Sequence, residues 1–147
     1  MIQIRKERKI LCPVDMSECS AAALRRAIDV AARDGAKLYI LFVEAIHHSA
    51  LPGSGNYAPE EDEYCRFLRE TRLARHDVDY EQHYARGDVA DEITRFAYVR
   101  EVDTVIMGTH GRTGLMRHLM GSVARSVCRR VDCCVETVRV TGLPHAH

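Results

Sequence analysis

The chain has 147 residues, 46% of them apolar, with 21 basic against 21 acidic side chains and a formal net charge of zero. Such a length suits one globular domain over residues 1–147, with tails at 1–8 and 142–147. The zero balance argues against a general nucleic-acid binder. No apolar run approaches the roughly 20 residues of a membrane span, and no apolar h-region follows the charged N-terminus, so neither nucleic acid nor membrane is expected as a partner and a cytoplasmic location is.

Ile10–Asp15 (ILCPVD) reads as a buried first strand, with Pro13 near its end. Ser17 is placed to cap a helix whose Leu24, Ala27, Ile28 and Ala31 recur at helical spacing and which Gly35 ends. Lys37–Val43 is a nearly continuous apolar run, as in a strand covered on both faces. Glu44–Ala58 is a loop with Pro52, Gly53 and Gly55. Pro59 and the acids after it start a second helix, with Tyr64, Phe67, Leu68 and Thr71 on its inner face.

Val78–Tyr84 alternates and predicts a half-exposed edge strand. Arg86-Gly87-Asp88 reads as a turn whose Asp88 caps a helix carrying Ile93, Phe96, Ala97 and Arg100. Asp103–Met107 is a fourth strand. Gly121–Arg130 is the last long helix, with Val123, Val127 and Val131 toward the core, and Cys134–Val140 a fifth strand. Strands alternating with helices imply a parallel α/β sheet with helices on both faces. The six cysteines form no CxxC pair, so reduced, buried thiols are expected. A redox or soft-metal role for Cys133-Cys134 or His47-His48 is the alternative, and adjacent strand residues pointing to opposite faces disfavour joint ligation by the cysteines.

Between the fourth strand and the last helix lies MGTHGRTGLMRHLMGSV, Met107 to Val123. Gly108, Gly111, Gly114 and Gly121 let backbone approach a ligand, and a helix N-terminus presents unpaired N–H groups with partial positive charge. Strand, glycine loop and helix start make a phosphate-binding arrangement, to which Ser122 could add a hydroxyl. The plainer alternative is a βα loop whose glycines serve only to turn. No Gly-Lys-Ser/Thr closes a Walker A loop, and the dinucleotide fingerprint belongs to a first βα turn. In an open sheet of order 3-2-1-4-5, ligands bind where the winding reverses, between the first and fourth strands. That rule brings Asp15 beside the glycine loop. Asp15 could accept hydrogen bonds from a ribose, hold a divalent ion, or simply help cap the helix at Ser17.

The spacing Gly108-x2-Gly111-x9-Gly121-Ser122 resembles the nucleotide-binding motif of the universal stress protein family. The stretch Cys12-Pro13-Val14-Asp15-Met16-Ser17 is similar to its N-terminal signature, so the likeness runs from Ile10 to Val140. The resemblance implies a five-stranded parallel Rossmann-like sheet, order 3-2-1-4-5, of the adenine nucleotide alpha hydrolase-like type. It also implies an ATP-binding stress-response regulator that takes Mg²⁺ with ATP and works as a homodimer through its C-terminal edge strand. Residue by residue, Asp15 would contact the nucleoside. Pro13, Val14 and Val43 would form the adenine pocket. Met107, Gly108 and Gly111 would face ribose and phosphates, while Gly121, Ser122 and Val123 would hold the phosphate tail and Arg112 would add charge. No catalytic residue is assigned: His110 is the one nearby candidate base, and slow ATP hydrolysis is the most that is expected. Members of the family usually end on an apolar strand preceded by proline. Here Glu136 and Arg139 depart from that pattern and put the edge pairing in question. The competing readings are an interaction module that binds no nucleotide and an adenylyl transferase.

Overall fold

The computed structural model describes residues 4–46, 61–71, 73, 77–110 and 121–140. Nine elements alternate along them: β1 (Lys9–Val14), α1 (Glu18–Asp34), β2 (Lys37–Ala45), α2 (Glu61–Glu70), β3 (Tyr80–Gly87), α3 (Val89–Val99), β4 (Thr104–Gly108), α4 (Ser122–Arg130) and β5 (Cys134–Val138). The strands form one parallel sheet in the order β3-β2-β1-β4-β5.

Alternation along each strand divides the core in two, because successive side chains leave the sheet on opposite faces. Ile10, Cys12, Val14, Ile40, Phe42 and Ile106 pack with Leu24, Ala27 and Ile28 of α1 and Phe67 of α2. Leu11, Tyr39, Leu41, Val105 and Met107 pack on the other face with Ile93 and Ala97 of α3 and Ala124 and Val127 of α4. The three inner strands are buried on both sides, which is why their sequences read as unbroken apolar runs.

Local chemistry sets the helix ends. Ser17 Oγ accepts from Ser20 N and Asp88 from Asp91 N, each satisfying an amide of the first turn, and Gly35 closes α1 at φ +61°. Arg8 is no loose tail residue: its carbonyl accepts from Lys37 N, and its guanidinium holds Asp34 and reaches Thr104 Oγ1 at 3.2 Å. β3 keeps the expected alternation, but Tyr80, Gln82 and Tyr84 are the exposed side, while Glu81, His83 and Ala85 are half-buried. His83 and Phe96 meet edge to face at 4.9 Å, and the Arg100 guanidinium lies 5.5 Å from the Phe96 ring. The Glu44–Ala58 loop begins later than expected, since β2 runs on to Ala45. Pro52, Gly53, Gly55, Pro59 and the tail 142–147 lie outside the described residues.

Candidate functional site at the parting of two strands

The winding reverses between β1 and β4, and there the two strands separate. The β1–β2 register runs to Val14–Phe42 and the β4–β5 register to Gly108–Val138, yet the β1–β4 register stops at Leu11–Val105. The cause is one residue. Lys9 N donates to Asp103 Oδ2, and Lys9 O accepts from Asp103 N, so both main-chain groups of Lys9 face β4. Strand alternation gives Leu11 and Pro13 the same direction. Proline has no N–H, so the β4 ladder loses its donor at Pro13 and the carboxyl ends part.

Several of the predicted residues share one face of the sheet at this end. Met107 and Val43 belong to the α3/α4 face, with Val123 packed against the same cluster, and alternation puts Pro13 there beside Leu11. Val14 lies on the other face, packed with α1. Its side chain is therefore separated from Pro13 and Val43, and only its main chain is shared with them.

Asp15 follows at the end of β1. Its Oδ1 accepts from Ser17 N at 2.9 Å, its own N–H donates to Ser20 Oγ, and Ser20 Oγ in turn donates to Ser17 O. Between Asp15 and Ser17, Met16 has φ +64°, a left-handed conformation that costs a residue with a Cβ about 1–2 kcal/mol. One carboxylate oxygen thus fixes the turn. The second makes no hydrogen bond among the described residues. Ser20, buried to 4% exposure, was not singled out from sequence, although a serine three residues after an N-cap serine is a recognisable signal.

At the other wall, Thr109 clamps the start of the glycine loop. Thr109 N donates to Val138 O at 3.0 Å, and Thr109 O accepts from Gly121 N at 2.5 Å. Gly121 is the N-cap of α4, and no side chain among the described residues caps the helix. Arg125 N bonds back to Gly121 O, so Ser122, Val123 and Ala124 hold the helix amides that have no acceptor within the helix. No acidic residue occupies this first turn, and Arg129 and Arg130 lie in the last. His110 accompanies the clamp, with Nδ1 3.0 Å from Thr109 Oγ1 and a buried Nε2 that has no partner among the described residues.

Gly108 and Gly121 also have packing reasons to be glycine. A Cβ on Gly108 would sit 2.8 Å from Cys19 Cβ and 2.9 Å from Cys19 C, and one on Gly121 would sit 2.8 Å from Thr109 O. Cys19 and Thr109 were missed from sequence, because neither belongs to a recognised pattern. Gly111 and Arg112, with the rest of the loop to residue 120, lie outside the described residues.

The thiols correct an expectation. Cys12 is buried, and burial pushes its pKa up, but Cys65, Cys128 and Cys134 are exposed. No cluster of three or more His, Cys, Asp or Glu among the described residues could hold a metal ion, and no helix there is long and apolar enough to cross a membrane. An open groove of about 1020 Å³ borders Thr94, Tyr98, Asp103, Arg130 and Cys134, at the opposite end of β4 and β5 from the parting.

Comparison with known proteins agrees with this architecture. The model of the universal stress protein family matches residues 7–139. A universal stress protein of Methanocaldococcus jannaschii is 31% identical over 139 residues, 90% of this chain and 82% of the relative. One of Bacillus subtilis is 32% identical over 145 residues, covering 89% and 98%. Among solved structures, a universal stress protein in complex with cAMP is 26% identical, with TM-score 0.66 over 90% of this chain and 97% of that one. UspA from Lactobacillus plantarum, 23% identical, shares the fold at TM-score 0.73 over 91% and 99%.

Proposed function

The chain belongs to the universal stress protein family, and from that premise we propose that it binds an adenine nucleotide, ATP with Mg²⁺, as a nucleotide-dependent stress-response regulator in the cytoplasm. The carrying observation is the parting of β1 and β4 at Pro13, with the N-terminus of α4, whose N-cap is Gly121, at its wall. An adenine ring suits the apolar side of Pro13, Val43 and Met107. The amides of Ser122, Val123 and Ala124 suit phosphate oxygens, since a helix start without acids favours an anion. The Asp15 carboxylate oxygen that does not bond Ser17 N suits a ribose hydroxyl. A Mg²⁺ ion would neutralise phosphate charge, held by the phosphates and at most one carboxylate, Asp15. Gly111 and Arg112 complete the set on the strength of the motif. A relative of 26% identity is described in complex with cAMP, which supports an adenine nucleotide as the ligand class.

A homodimer through β5 belongs to the same reading. Glu136, which makes that strand polar, is held by Arg26 of α1 at 2.6 Å, so its charge is neutralised within the chain, and Arg139 lies beyond the strand's end. The packing of Gly108 against Cys19 and of Gly121 against Thr109 favours a second reading, in which the glycines serve packing alone and the protein is an interaction module without nucleotide.

Calorimetric titration with Mg-ATP separates the two. Ser122→Glu should fold normally, since an acid at a helix start is favourable by about 0.3–1 kcal/mol. It should weaken Mg-ATP binding at least tenfold, about 1.4 kcal/mol, by repelling phosphate. Asp15→Asn keeps the Oδ1 acceptor for Ser17 N and should also weaken binding, with the fold intact. Wild type that ignores millimolar Mg-ATP would leave the interaction module as the reading.

A further inference from the structure

β3 is the terminal strand on the side of the sheet away from β5, and its main chain lacks two of the usual guards against pairing. It pairs with β2 one residue to one over eight positions, so it carries no bulge, and it contains no proline. Leu38 N donates to Asp79 O, which turns the main chain of Asp79, and by alternation that of Glu81, His83 and Ala85, toward β2. The N–H and C=O groups of Tyr80, Gln82 and Tyr84 therefore point outward, and their side chains, with that of Arg86, are the exposed ones, Tyr80 by 38% and Tyr84 by 58%. The strand's charges pair inside the chain but stay part-exposed: Glu81 with Lys37 and His83, and Arg86 with Glu44.

The sequence along this edge, Tyr80-Glu81-Gln82-His83-Tyr84, is close to a palindrome. Turned about a two-fold axis through Gln82 and perpendicular to the sheet, it meets itself antiparallel with Gln82 opposite Gln82 and Tyr80 opposite Tyr84. Both are pairs whose main-chain groups face outward and can exchange hydrogen bonds. On the opposite face Glu81 meets His83, an acid against a base, in the non-hydrogen-bonded pair where side chains approach most closely. A register centred on His83 instead would set Glu81 against Ala85 and His83 against itself, matching no charge. We infer that the β3 edge is a self-association surface whose occupant is the β3 edge of a second copy of this chain, antiparallel about Gln82. This surface is independent of the nucleotide reading and lies at the sheet edge opposite β5.

Charge exchange at residue 82 tests both surface and register, because only this axis brings residue 82 against its own copy. Gln82 is exposed, so Gln82→Lys and Gln82→Glu should fold as wild type does, which far-UV circular dichroism and melting check. In sedimentation velocity at rising protein concentration, wild type is expected to reach at least twice the mass of either variant alone. An equimolar mixture of the two variants is expected to recover the wild-type mass. Wild type no heavier than the variants overturns the inference, and so does a mixture that stays as light as its components. A β5 homodimer, if present, contributes equally to every sample and leaves the comparison intact.

Discussion

Gly108 shows how one missing carbon joins packing to a site. The last residue of β4 lies against the first turn of α1, so close that an added Cβ would meet Cys19 Cβ at 2.8 Å and the Cys19 carbonyl carbon at 2.9 Å. Neither atom can swing away, since one is backbone and the other is fixed to it. Gly108→Ala must then push α1 from β4, and overpacking of this kind typically costs about 1–3 kcal/mol. Urea denaturation should show that loss. Cys19→Ala in the same chain should not restore it, because alanine keeps the offending Cβ. Recovery by Cys19→Ala would mean that the thiol, rather than the helix backbone, sets the distance. Gly35 is the contrast: nothing lies within 4 Å of its Cβ position, and its φ of +61° alone calls for glycine.

At the scale of elements, helix starts divide by what satisfies their amides. α3 is capped by Asp88, whose Oδ1 accepts from Asp91 N at 2.9 Å, and α1 by Ser17. Asp88→Ala should therefore cost about 1 kcal/mol, read as a lower denaturation midpoint, while Asp88→Asn, which keeps an acceptor, should cost less. α4 has a glycine at the capping position and no side-chain cap among the described residues, as a ligand-binding start would have. The capped helices were legible in the sequence because Ser17 and Asp88 precede apolar residues at helical spacing. That β1, β2 and β4 lie inside the sheet was legible because their runs are largely apolar, as strands covered on both faces must be, while the strand order came from the family resemblance. The sidedness of β3 was not, since its tyrosines look like the inward set. Partial burial instead goes to Glu81 and His83, whose charge and ring meet Lys37, Phe96 and Tyr39. The packing roles of Cys19 and Thr109 were equally hidden, because they depend on which backbone passes them in three dimensions.

For the molecule as a whole, β1 and β4, like β2, each contribute to both halves of the core. Ile106 packs toward α1 and its neighbour Val105 toward α3 and α4, both fully buried. Losing either half would strip β4 of one face, so the halves should unfold together. Ile106→Ala should cost about 2–5 kcal/mol, a large part of the roughly 5–15 kcal/mol of a typical domain. Far-UV circular dichroism should share one midpoint with tyrosine fluorescence, which draws on Tyr39 on one face and Tyr64 near the other. Split midpoints would show the faces to be separate units. The same strands part to form the candidate site, so a ligand seated there binds only the folded chain. At a hundred times its Kd, Mg-ATP should raise stability by about 2.7 kcal/mol. Wild type and Ile106→Ala should gain alike, because the Ile106 side chain faces α1 rather than the site. Ser122→Glu at the same nucleotide concentration should gain far less. Equal gains in Ser122→Glu and wild type would place the nucleotide elsewhere on the protein.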